Sequence, residues 1–182
     1  MQSIKRLTNA LGDLAGAERA LFMLDDLGCL LPGLPRGALK VLVGRVEKEG
    51  LLRRVCRGLY LYPRAFVADG LLLYRAAVRL RAERFNYLSL ESVLSDAGVI
   101  SQIPMNWITL MSSGRSRIVD CGGFGRIEFV HTKKRPANLQ QELTYDARCG
   151  LWRASVALAL RDMKSARRSL DLVDRNFAHE PV

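Results

Sequence analysis

The stretch Glu49-Gly50-Leu51-Leu52-Arg53-Arg54, closed by Arg57-Gly58-Leu59-Tyr60, constrains the fold more than any other part of this chain. It reads as a helix stop, a strand, a tight turn at a glycine and a second strand ending in aromatics. Strands are expected over 51–57 and 59–62, and Pro63 closes the unit. The residues before it predict a helix over 35–49. Pro35 suits a first helical position, and Leu39, Leu42, Val43 and Val46 recur on one stripe. Upstream lies the turn Leu31-Pro32-Gly33-Leu34-Pro35. Before that, a helix is expected over 17–28, with Ala20, Leu21, Leu24 and Leu27 on one face and Gly28 as its stop. Another is expected over 3–15, capped by Ser3, with Ile4, Leu7, Leu11 and Leu14 facing inward. Helix, helix, turn, helix and a basic hairpin, in that order, is the pattern of a winged helix-turn-helix.

Charge decides what such a unit meets. The chain has 28 Lys and Arg against 18 Asp and Glu, a net +10 and a pI near 10.0. An excess of this size attracts polyanions: DNA, RNA or an anionic membrane surface. Residues 36–57 carry seven cations and two anions, half of the net charge. On the 35–49 helix the outward face holds Arg36, Lys40 and Lys48, with Arg45 at its flank. The major groove admits a helix, and Arg36 lies at the N-terminal end, where an arginine can pair with guanine. Lys40 follows one turn later, while Arg45 and Lys48 suit phosphates. Strand alternation puts Arg53 and Arg57 on one face of the hairpin and Arg54 on the other. These seven residues form the expected DNA-binding site. A winged helix also serves as a protein-interaction module, the other reading this segment leaves open.

Other classes fit less well. The longest apolar runs, such as Leu71-Leu72-Leu73-Tyr74, are far below the roughly 20 residues needed to span a bilayer. Met1-Gln2-Ser3-Ile4-Lys5-Arg6 is followed by polar Thr8, Asn9 and Asp13 rather than an apolar core, so no signal peptide and a cytoplasmic location are expected. Cys29, Cys56, Cys121 and Cys149 form no C-x-x-C pair, and His131 and His179 lie at no ligand spacing from them, so neither zinc nor disulfides are expected. Gly122-Gly123-Phe124-Gly125 is a turn between strands with no helix after it, a poor phosphate loop. Asp120 and Glu128 with Lys133 suggest a metal nuclease, but Val130 stands where the acid-x-lysine pairing needs its lysine. His131 has no evident nucleophile to activate, and Ser89 and Ser92 around Glu91 read as helix-start chemistry. No catalytic residue and no cofactor are expected.

Beyond the hairpin, a helix is expected over 69–83 and a shorter one over 89–97, stopped by Gly98. Strands follow at 107–111, 117–120 and 126–131, and a further one within 143–151. Helices are expected over 153–164 and 165–175, and a loose tail over 177–182. The domain boundary falls between Pro63 and Asp69. The chain therefore reads as α+β: a winged helix-turn-helix over 1–66 and a mixed α/β domain over 67–182.

Several stretches of the second half carry a resemblance. Tyr87-Leu88-Ser89-Leu90-Glu91-Ser92-Val93-Leu94, Ala97-Gly98-Val99-Ile100, Pro104 and Trp107-Ile108-Thr109-Leu110 resemble the AbiEi antitoxin family. So do Phe124-Gly125-Arg126-Ile127-Glu128-Phe129-Val130-His131 and the run Leu151 to Met163. Where the family often has Ser/Thr-Pro, this chain has Ser155-Val156. The resemblance implies an antitoxin of a type IV toxin–antitoxin system, linked to phage defence, that represses its own operon through the winged helix. The implied partners are double-stranded promoter DNA and a nucleotidyltransferase toxin, the latter opposed without a stable complex. Arg36, Lys40, Arg53, Arg54 and Arg57 become promoter-contact candidates. The clusters Arg115-Ser116-Arg117, Lys133-Lys134-Arg135 and Arg167-Arg168 become candidates for opposing the toxin. Two alternatives stand beside this reading. One is a plain winged-helix regulator whose second half senses a ligand or oligomerises. The other is a nucleic-acid-processing enzyme using Asp120, Glu128 and His131.

Overall fold

The computed structural model describes residues 2–16, 19–100 and 106–171. The chain is α+β and divides into two compact units, Met1–Gly70 and Leu71–Val182, four residues beyond the boundary expected from sequence.

In the first unit the order is α1 (Gln2–Leu14), β1 (Leu21–Met23), α2 (Leu24–Cys29), α3 (Arg36–Lys48), β2 (Arg53–Cys56) and β3 (Leu59–Leu61). The strands form an antiparallel sheet in the order β1-β3-β2. Leu7 and Leu11 of α1, Phe22, Leu27, the whole α3 stripe, Leu52, Tyr60 and Tyr62 share one buried cluster. α3 ends as its glycine requires. Gly50 takes φ +75°, and the N–H groups of Gly50 and Leu51 return to the carbonyls of Glu47 (3.1 Å) and Val46 (2.9 Å). This double closure satisfies carbonyls that the helix end would otherwise orphan.

The helix expected over 17–28 is not what forms. Leu21, Phe22 and Met23 are extended and pair with Leu61, Tyr60 and Leu59. Only Leu24–Cys29 is helical, begun by Asp26, whose carboxylate accepts the Met23 N–H at 2.6 Å. Three consecutive apolar residues satisfy a buried strand as well as a helix, and the partner strand decides. Two helix starts also shift. Ser3 lies inside α1 rather than capping it. Pro35 is extended (ψ 145°) and precedes the first helical residue, Arg36.

The second unit holds α4 (Leu72–Leu80), β4 (Asn86–Leu88), α5 (Leu90–Asp96), β5 (Trp107–Ser112), β6 (Arg117–Asp120), β7 (Arg126–His131), β8 (Leu143–Asp146), β9 (Leu151–Ala154) and α6 (Val156–Ser165). Its six-stranded mixed sheet runs β6-β7-β5-β4-β9-β8, with β5–β7 and β4–β9 parallel. α5 and α6 cover one face. Arg81, just past α4, stacks 4.0 Å from the Phe129 ring on the other. The strands at 117–120 and 126–131 form where expected. β4 and β9 were not anticipated, since 153–164 reads as helix while Arg153 and Ala154 pair with Thr144 and Leu143. The helix at 156 starts without a proline, because the Ser155 hydroxyl accepts the Leu158 N–H (3.1 Å). Of the helix expected over 165–175, Ser165 ends α6 and 166–171 are not helical. The rest of it, Pro104, and the tail with His179 lie outside the described residues.

Gly125 has a specific geometric duty. Its φ is +118°, and a Cβ there would penetrate the Asn106 carbonyl, which accepts the Arg126 N–H at 2.8 Å as the parallel β5–β7 pair begins. Gly125→Ala is expected to destabilise this unit by about 1–3 kcal/mol through overpacking, read as a lowered urea midpoint. An unchanged midpoint would show that the two backbones do not meet there.

Candidate nucleic-acid interface

The buried stripe fixes the rotation of α3. At 100° per residue, the side directly opposite Leu39, Leu42, Val43 and Val46 carries Gly37, Val41 and Lys48. Lys40 sits on one flank and Arg45 on the other. Lys40, Arg45 and Lys48 are exposed, and Val41 is 58% exposed. Arg45 and Lys48 also occupy the last turn, where the helix dipole favours cations. Arg36 lies beyond Lys40, at the opposite, electropositive end. There its guanidinium meets Asp25 of α2 at 3.2 Å. Both partners are mostly solvated, so the pair contributes about 0–1 kcal/mol and gives way readily to a phosphate. α2 approaches α3 closely at Gly28, where a Cβ would stand 3.2 Å from Leu39.

The hairpin β2–β3 turns at Arg57-Gly58, with Gly58 at φ +83°. The Gly58 carbonyl accepts the Leu24 N–H (2.9 Å), which ties the hairpin tip to the start of α2. Arg53 and Arg54 pair with Leu61 and Tyr60 in consecutive register, so they lie on opposite faces of β2, as expected, and both are exposed. The register slips only between Arg54 and Cys56, which interrupts the alternation expected to carry the face of Arg53 on to Arg57. A bulge of this kind inserts one residue and re-aims its neighbours. Beneath the hairpin, burial pushes the Tyr60 phenol above its ordinary range, with the Arg54 charge pulling the other way. All seven cations predicted from sequence are thus solvent-exposed on α3 and the hairpin of one unit.

The three basic clusters of the second unit part ways. Lys134 turns inward: its ammonium lies 2.6 Å from the fully buried Asp162 carboxylate, which also accepts the hydroxyls of Ser89 (2.6 Å) and Tyr87 (3.1 Å). Burial and the Asp162 charge hold the Tyr87 phenol far above its ordinary range. Arg168 bridges Glu91 (2.8 Å) and Glu128 (2.5 Å). Burial opposes its charge, and these two hydrogen bonds outweigh the opposition. Arg115 and Arg117 stay exposed. Nearby Arg81 is held by Ser112 Oγ (2.7 Å) and the Arg115 carbonyl (2.5 Å). Burial and the like charges of Arg117 and Arg84 pull the pKa of its guanidinium below the ordinary arginine value. Ser92 and Thr109 complete the polar interior, the Thr109 N–H donating to Ser92 Oγ at 2.8 Å. Tyr87, Ser89, Glu91, Ser92, Thr109 and Glu128 of the resembling stretches therefore tie α5, β5, β7 and α6 together.

The three residues of the catalytic alternative are engaged separately. Glu128 is engaged with Arg168, and Asp120 accepts the Gly122 N–H at 2.8 Å. His131 lies an odd number of residues from Glu128 on β7, on the other face, with Nδ1 2.9 Å from the Gly114 carbonyl. Among the described residues no group of three or more His, Cys, Asp or Glu is placed to hold a metal ion. None of the four cysteines is in a disulfide; Cys29 is exposed and the others are buried. No helix among the described residues is long and apolar enough to cross a membrane.

No known family's sequence profile matches the chain, and no curated protein is similar to it in sequence. Among solved structures, the crystal structure of the RV2827C protein from Mycobacterium tuberculosis superposes with a TM-score of 0.52 at 14% identity, over 93% of this chain and 54% of that one. This chain spans about half the length of that protein, and the likeness is one of fold.

Proposed function

We propose that this protein is a DNA-binding regulator whose first unit is a winged helix-turn-helix. The observation that carries this reading is the placement of Arg36, Lys40, Arg45, Lys48, Arg53, Arg54 and Arg57. All are exposed, and all lie on the helix and hairpin that such a unit applies to the duplex. The order α1-β1-α2-α3-β2-β3, with its β1-β3-β2 sheet, supports it further, as does the short α2 that meets α3 at Gly28. The catalytic alternative recedes because Asp120, Glu128 and His131 are separately engaged. The finer reading is an antitoxin that represses its own operon in the cytoplasm and opposes a nucleotidyltransferase toxin in phage defence. It rests on the AbiEi resemblance.

The deciding experiment is fluorescence anisotropy with the protein's own upstream duplex and a scrambled control, across a salt series. Binding to the upstream duplex is expected to be tighter by roughly 10³-fold or more, as for specific regulators, and steeply salt-dependent. Weak and equal binding to both duplexes would leave the unit as a protein-interaction module. Rescue of growth from a neighbouring nucleotidyltransferase is the corresponding test of the antitoxin reading.

A further inference from the structure

The side of α3 that faces away from the core is cationic at its flanks and apolar at its centre. Val41 stands there, the most exposed large apolar side chain among the described residues at 58%. It lies in the second turn, and Lys40 and Arg45 bracket it on either side. A Cβ at Gly37 or at Gly44 would meet nothing within 4 Å, so the helix surface on either side of Val41 is open at these two glycines. Arg36, the residue with the chemistry to read guanine, is turned about 140° from Val41 by the helical period and pairs with Asp25.

We infer that α3 reads thymine, through contact of the Val41 methyl groups with the C5-methyl of a thymine in the major groove, while its arginines and lysines hold the phosphates. The inference rests on the DNA-binding reading and names the base that reading leaves open. The charge pattern selects this occupant. An apolar side chain ringed by cations on a convex helix matches the major groove, whose walls are phosphate and whose floor carries thymine methyls. A second copy meeting this face about a two-fold axis would bring Lys40, Arg45 and Lys48 against the same three residues.

The test is anisotropy on the upstream duplex with each thymine in turn replaced by uracil, which removes only the methyl group. At least one uracil duplex is expected to bind about fourfold more weakly, the loss of one buried methyl. Val41→Ala is expected to bind the thymine and uracil versions of that site equally. Arg36→Ala is expected to lose affinity equally for upstream and scrambled duplexes. Val41 is exposed, so its variants should fold as the parent does, checked by thermal melting. Binding that still prefers the upstream duplex yet ignores every uracil would overturn this inference and leave the regulator reading intact. Loss of the preference itself would overturn both. Self-association that Val41→Lys abolishes, seen by sedimentation velocity without DNA, would assign the face to a second copy and overturn the thymine contact.

Discussion

Asp162→Ala is expected to destabilise the second unit by about 3–5 kcal/mol, the usual cost of breaking a buried ion pair from one side. The carboxylate is fully buried and serves three donors: the Lys134 ammonium and the hydroxyls of Ser89 and Tyr87. Alanine leaves a partly buried cation and two buried hydroxyls without their acceptor, and it opens a cavity between α6 and the sheet. Lys134 is 31% exposed on its side chain, so it can recover some hydration, which places the expected loss towards the lower end. Replacing both members of the pair, Asp162→Leu with Lys134→Met, should restore most of the stability, since an apolar pair strands no charge. Urea unfolding followed by fluorescence measures both. A drop in midpoint at constant slope identifies a change in stability. A loss below about 1 kcal/mol for Asp162→Ala would mean that the carboxylate is solvated and the network is not the keystone of this unit.

That network shows what the sequence conceals. Ser89 and Asp162 are 73 residues apart, and no local pattern links them. Lys134 sits in a run of three cations and reads as solvated surface, because a sequence gives a charge but not the direction in which its stem points. The same holds for Arg168, which reads as half of a basic pair and is spent on Glu91 and Glu128. Elements with a long apolar period were legible: α3 with its four buried residues, and β6 and β7 with their glycine turns. Short strands were not. Leu21-Phe22-Met23, Asn86-Tyr87-Leu88 and Leu151-Trp152-Arg153-Ala154 span three or four residues each, too few to show a period. Each forms only because a distant strand accepts it. In the candidate interface, exposure of the seven cations followed from composition, since arginines and lysines are mostly exposed. Their aim did not follow. The bulge after Arg54 interrupts the alternation between Arg53 and Arg57, and the pairing of Arg36 with Asp25 depends on the angle between α2 and α3.

The second large effect belongs to the hairpin. Arg53 and Arg54 lie on opposite faces of the edge strand β2 and are both exposed, so both are open to the phosphate backbone. Each phosphate contact releases condensed counterions and adds about 0.9 to the slope of log affinity against log salt. The double variant Arg53→Ala, Arg54→Ala is therefore expected to flatten that slope by about 1.8. At about 0.15 M salt this corresponds to a loss on the order of 30-fold in affinity. Because phosphates carry no sequence information, the loss should be equal for the upstream and the scrambled duplex. Both side chains are exposed, so stability should stay within about 0.5 kcal/mol of the parent, and Arg→Lys at both positions should keep the slope. If only one face of the hairpin meets the duplex, only one of the two single variants will change the slope. A slope unchanged in the double variant would remove the hairpin from the interface and leave α3 to bind alone. A slope change confined to the upstream duplex would mean that these arginines touch base edges in a groove.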